Sequence, residues 1–100
     1  MDKILYLVIP CYNEEEVLSE TSTRLLDKIN TMINNEDISK ESKILFVNDG
    51  SKDKTWDIIE GLYNKNSIFS GVNLSRNKGH QNALLAGLMV AKEHADMVIS

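Results

Sequence analysis

Ile44-Leu45-Phe46-Val47-Asn48-Asp49-Gly50-Ser51-Lys52-Asp53 is the stretch that decides how the chain is read. Four apolar residues rich in strand formers stop abruptly at Asn48, Asp49, Gly50 and Ser51. A short apolar run closed by turn residues reads as a strand buried on both faces, the kind found in parallel sheets. Open α/β sheets bind their ligands just past the carboxyl ends of such strands. Asp49 therefore falls where a ligand is expected, with a carboxylate able to accept from a ring N–H or hydroxyl, or to hold a metal.

The same pattern recurs on both sides. Upstream, Ile4 to Ile9 is a near-continuous apolar run stopped by Pro10, which cannot donate to a ladder. Cys11, Tyr12 and Asn13 read as its turn. Asn13 has the character of an N-cap, with Glu16 completing a capping-box pattern, and Glu14, Glu15 and Glu16 suit a first helical turn. Leu18, Leu25, Ile29, Met32 and Ile33 then recur at helical spacing, predicting a helix to about Asn34. A polar connection over 34–42 leads to the strand at 43–47.

Downstream, Asp53 or Ser51 is placed to cap a second helix over 53–64. Thr55, Ile58, Ile59, Leu62 and Tyr63 mark its inner face, with Trp56 at the edge. A third strand is expected over 68–74 and a polar turn over 75–80. A third helix over 81–93 is rich in small residues and apolar nearly all round, so it is expected to be buried. Met32, Met89 and Met97 are expected as core filler. Asp96 to Ser100 begins a fourth strand. Strands alternating with helices predict a three-layer, Rossmann-like parallel sheet with right-handed crossovers.

Composition narrows the function. The 100 residues suit one small domain or part of a larger one, and 42% hydrophobic with 26% charged residues is ordinary for a folded chain. A net charge of −4 disfavours nucleic acid as a partner. Cys11 is the lone cysteine, which excludes an internal disulfide and fits a reducing compartment. No apolar run approaches the roughly 20 residues of a membrane-spanning helix. A chain that ends on a strand reads as an N-terminal piece of a longer protein.

Three turns leave strands on one edge, at 10–13, 48–52 and 75–80. None contains a dinucleotide-binding G-x-G-x-x-G or a phosphate loop. The glutamates that open the first helix would repel a pyrophosphate there. What remains is a nucleotide whose base and ribose lie over the acidic turns. Tyr12 is placed to pack on a base, Asp49 to accept from its imide N–H, and Arg76 and Lys78 to meet phosphates. Each feature also has a plain reading. Asn13 and the glutamates are ordinary capping residues, Asp-Gly-Ser is an ordinary turn, and Arg76 and Lys78 are ordinary surface charges. Cys11 reads as a small buried residue, His80 as a helix-start residue and His94 as an exposed one. No His/Cys cluster has metal-ligand spacing.

Taken together, Val8-Ile-Pro-Cys-Tyr-Asn-Glu-Glu-Glu-Val-Leu18, Val47-Asn-Asp-Gly-Ser-Lys-Asp-Lys-Thr55 and Leu74-Ser-Arg-Asn-Lys-Gly-His-Gln-Asn-Ala-Leu84 resemble family 2 glycosyltransferases, closest to the polyprenyl-phosphate branch. The resemblance covers essentially the whole chain. It implies the nucleotide-binding half of a glycosyltransferase A-type fold, stopped at its fourth strand. It also implies a UDP- or GDP-sugar donor, Mg²⁺ or Mn²⁺ in the full-length enzyme, and a polyprenyl phosphate or glycan acceptor. By likeness, Pro10, Tyr12 and Glu14 line the base and ribose pocket, and Asn13, Asn48, Gly50 and Ser51 belong to the nucleotide-sugar site. Asp49 matches the family's base-binding acid, and Arg76 a basic position near the nucleotide, with Lys78 beside it. Where the family commonly has two acids, this chain has Asn48-Asp49. The family's D-x-D metal motif and its general base lie further on, so no catalytic or metal-binding residue is assigned here. These residues alone are expected to be inactive and to self-associate. The parent is expected in the cytoplasm, on the cytoplasmic membrane face. The competing readings are a receiver- or flavodoxin-like binding module, disfavoured by Pro-Cys-Tyr-Asn where a receiver wants acids, and a functionless fragment held together as an oligomer.

Overall fold

A computed structural model describes residues 2–100. Its elements are β1 (Leu5–Cys11), α1 (Leu18–Asn34), β2 (Lys43–Asp49), α2 (Thr55–Lys65), β3 (Phe69–Leu74), α3 (His80–Lys92) and β4 (Met97–Ile99). The strands form one parallel sheet in the order β3-β2-β1-β4. The chain steps outward from β1 to β2 to β3, then returns to place β4 on the other side of β1. The order thus reverses at β1, and such a reversal opens a crevice at the strands' carboxyl ends.

Strand alternation sorts the core into two layers. Ile44 and Phe46 of β2 join Leu5 and Cys11 of β1 in a cluster with Leu18, Ile29 and Ile59, on the face covered by α1 and α2. Leu45 and Val47 join Val8 in a second cluster with Ala83 and Ala91 of α3, on the opposite face. The expected three-layer, Rossmann-like α/β arrangement is present. Its centre is β2, buried from Ile44 through Asp49 because both faces are covered.

Helix α3 differs from expectation. Only Ala83, Gly87 and Ala91 of it are buried. This small-residue stripe lets the helix lie against the sheet: a Cβ at Gly87 would stand 2.5 Å from Val8 Cγ1 and 2.7 Å from Val47 Cγ2. The larger apolar residues face outward, with Leu85, Met89 and Val90 exposed and Met89 at 64%. Met89 and Met97 are therefore surface residues, not core filler. Tyr63, expected on the inner face of α2, is 57% exposed, because the packed face is set by Thr55 and Ile59. Trp56 is half-buried at the edge of α2, and a Cβ on Gly71 would come within 3.0 Å of its ring. Exposed His94 stacks on the Tyr6 ring at 6.1 Å between centroids. Among the described residues no helix is long and apolar enough to cross a membrane.

Candidate functional site

The loops after β1 and β2 are tied to each other by side chains bonding backbone. The Asn13 N–H donates to Ser51 Oγ at 2.9 Å, and the Lys52 N–H returns to Asn13 Oδ1 at 2.8 Å. The Glu14 N–H donates to Thr55 Oγ1 at 2.8 Å, and the Glu15 N–H to Asp53 Oδ2 at 3.2 Å. Asp53 Oδ1 in turn accepts from both the Thr55 N–H and the Thr55 hydroxyl. This clasp corrects the expected caps. Asn13 sits at φ 51°, a left-handed conformation that Asn tolerates, and α1 begins only at Leu18. Asn13 and Ser51 spend their side chains on each other's loops. The glutamates precede the helix, and the Glu14 carbonyl accepts from the Val17 and Leu18 N–H groups. Partial burial pushes the Asp53 carboxyl up. Hydrogen bonds from the Thr55 hydroxyl, the Thr55 N–H and the Glu15 N–H outweigh it and hold the group below its ordinary value.

Asp49 is the last residue of β2, and alternation puts it on the α3 face with Leu45 and Val47. It is only 3% exposed. Its Oδ1 accepts from the Lys78 N–H at 2.6 Å, which pins the loop after β3 across the end of β2. Gly50 makes that approach possible. It lies at φ 67°, and a Cβ there would meet Asn77 N at 2.2 Å and the Arg76 carbonyl carbon at 2.3 Å. Asp49 Oδ2 takes no hydrogen bond among the described residues, yet no fully buried side-chain polar atom lacks a partner. Oδ2 is therefore not fully buried.

Asp49 borders a cleft of about 320 Å³ lined also by Pro10, Cys11, Tyr12, Glu14, Asn77, Gly79 and His80. The cleft lies at the carboxyl ends of β1 and β2, beside the reversal in strand order. It brings together Pro10, Tyr12, Glu14 and Asp49 from the sequence-derived set. Tyr12 is 43% exposed, leaving its ring free to stack on a flat ligand. Asn13, Gly50 and Ser51 form the surrounding scaffold. Asn48 is buried and occupied: its Nδ2 donates to Asn73 Oδ1 at 2.7 Å, and its Oδ1 accepts from the Ser51 N–H. The Arg76 and Lys78 side chains are exposed outside the lining, and Lys78 acts here through its backbone. Asn77 and Gly79 carry no role in the sequence reading, and His80, expected as a helix-start residue, does begin α3 and also lines the cleft. The signal available was their position in the third turn on the same edge.

Cys11 is buried, and its thiol donates to the Ile9 carbonyl at 3.6 Å. Burial first, then the charge and hydrogen bonding of Glu14, push the thiol up to about 12. A thiol so placed stays protonated at neutral pH and is a poor nucleophile. The cleft thus offers an exposed aromatic face, one open carboxylate oxygen and a second carboxylate. That set can stack on a planar ring and accept from its N–H while hydrogen-bonding a polyol. Among the described residues no three acidic, histidine or cysteine side chains gather to hold a metal ion.

The family model described as Glycosyl transferase family 2 matches residues 6–98. An uncharacterized glycosyltransferase of Bacillus subtilis (strain 168), YkoT, is 50% identical over 97 residues, covering 97% of this chain and 29% of that protein. An uncharacterized glycosyltransferase of Synechocystis is 43% identical over 91 residues, 91% of this chain and 27% of that protein. The undecaprenyl-phosphate 4-deoxy-4-formamido-L-arabinose transferase of Shewanella sediminis is 35% identical over 97 residues, 94% of this chain and 26% of that protein. The chain thus spans a little over a quarter of the length of these relatives.

Proposed function

Because the chain belongs to glycosyltransferase family 2, we propose that its cleft binds the nucleotide of a nucleotide-sugar donor, UDP- or GDP-linked. The observation that carries this reading is the second oxygen of Asp49. A nearly buried carboxylate with one oxygen spent on the Lys78 N–H and the other not fully buried is fixed in direction. It is suited to accept from a base's ring N–H, and a positioned charge-assisted hydrogen bond is stronger than a neutral one. The Tyr12 ring packs on the base, and Pro10 and Glu14 frame the ribose.

The full protein then transfers the sugar to an acceptor hydroxyl or phosphate. The likeness to the Shewanella undecaprenyl-phosphate transferase favours a polyprenyl phosphate over a glycan. Such a lipid acceptor favours work at a membrane's cytoplasmic face. Sugar transfer builds negative charge on the leaving diphosphate, which a divalent cation, Mg²⁺ or Mn²⁺, neutralises when bound. Glu14 and Asp49 are the cleft's two carboxylates, and Asp49 already spends one oxygen on the backbone. These residues do not fit a cation site by themselves, and the reading assigns them donor binding alone. Leu85, Met89 and Val90 on α3 give these hundred residues, when isolated, a surface for self-association.

The test is Asp49→Asn in the full-length protein. The amide keeps an oxygen for the Lys78 N–H and removes the charge. Sugar transfer is expected to fall at least about tenfold, a loss of about 1.4 kcal/mol in transition-state binding. Unchanged kinetics at unchanged stability would remove Asp49 from the site.

A further inference from the structure

We infer that His80 is the residue of this cleft that meets the donor's phosphates. The inference rests on the nucleotide-binding reading and deepens it. Arg76 and Lys78 are the obvious cations by sequence, but neither side chain lines the cleft. Of the residues that do, His80 is the one able to carry positive charge. It faces a lining that otherwise holds two carboxylates, Glu14 and Asp49, with Tyr12, a protonated Cys11 and Asn77. Lys78 is the nearest cation along the chain, on the loop just before it.

The backbone around His80 suits an anion as well. It is the first residue of α3, whose first-turn N–H groups have no acceptor within the helix. No side chain caps this helix, and its first turn carries no acid. The loop before α1, by contrast, carries three glutamates, and Asp53 stands just before α2. For a base placed between Tyr12 and Asp49, the third turn is the side of the cleft whose charges least oppose its phosphates. There the His80 side chain meets them together with the positive end of α3. Without His80 the cleft's charges, those of Glu14 and Asp49, oppose a diphosphate.

The experiment is calorimetric titration of the full-length protein with uridine and UDP, and in parallel guanosine and GDP, in EDTA so that no metal masks the contact. Wild type, His80→Gln, His80→Arg and the double variant Arg76→Gln/Lys78→Gln are compared at one pH. His80→Gln is expected to weaken the diphosphate about fivefold to tenfold and to leave the nucleoside unchanged. His80→Arg, which keeps a cationic side chain there, should restore affinity. His80 is exposed, so its substitution leaves the core intact. Equal losses for nucleoside and diphosphate would overturn the inference. So would a larger diphosphate loss in Arg76→Gln/Lys78→Gln than in His80→Gln. If nucleosides bind but diphosphates gain nothing from His80, only this inference fails. If no nucleoside or nucleotide binds, the nucleotide reading fails with it.

Discussion

Substituting Gly50 by alanine tests whether the cleft is built by a close backbone approach or by an ordinary turn. Gly50 holds φ 67°, where an L-residue pays roughly 1–2 kcal/mol. The new methyl would also stand 2.2 Å from Asn77 N and 2.3 Å from the Arg76 carbonyl carbon. Both are backbone atoms, so no side chain can swing aside. The loop after β3 must lift, and the Lys78 N–H must leave Asp49 Oδ1. Losing a hydrogen bond to a charged group costs about 1.5–3 kcal/mol. The two effects overlap, because lifting the loop relieves the clash. The expected loss is therefore about 2–4 kcal/mol of unfolding free energy, measured by urea denaturation, together with loss of nucleotide binding. Gly61→Ala is the control. It lies inside α2 with nothing within 4 Å of an added Cβ, so alanine there should stabilise by about 0.5–1 kcal/mol. A Gly50→Ala protein as stable as wild type, with the Lys78 amide unmoved in NMR spectra, would refute the reasoning.

Three further outcomes follow from the same geometry. Native Cys11 should alkylate at least about tenfold more slowly than an unhindered thiol near pH 8, since burial and Glu14 raise its value to about 12; rapid labelling by iodoacetamide without denaturant would contradict its placement. Because that folded value is raised, the thiol's contribution to stability is full below the ordinary thiol range and is lost as pH rises through about 12. Asp53 has the opposite sign: its depressed folded value gives a stabilisation full above the ordinary carboxylate value and lost as pH falls through the lower folded one. The Glu15 and Thr55 amides should report that titration by NMR with a midpoint below about 3.9. A midpoint at or above that value would mean the clasp is not formed.

The strands, their order along the chain and the three turns on one edge were legible because buried parallel strands leave unbroken apolar runs. Asp49 was legible because it ends such a run. Three kinds of feature were not. Asn13 looks the same in sequence whether its amide caps its own helix or reaches across to Lys52, 39 residues on. Gly50 reads as turn punctuation, and the approach of Arg76 and Asn77 that demands it comes from a different element. In α3 the alternation of small and large apolar residues is visible, but which set meets the sheet depends on Val8 and Val47 leaving room only for Gly87. Charge was a poor guide at the third turn, where Arg76 and Lys78 drew attention and His80, with less, lines the cleft.

The most direct test of the central claim is an amide-shift titration of the ¹⁵N-labelled protein with UDP and GDP. Tyr12, Glu14 and Asp49 should move together and saturate, and Asp49→Asn should weaken that binding while leaving the rest of the spectrum in place. Shifts confined to Lys3 or residues 34–42, or identical binding by Asp49→Asn, would contradict a nucleotide site built on Asp49.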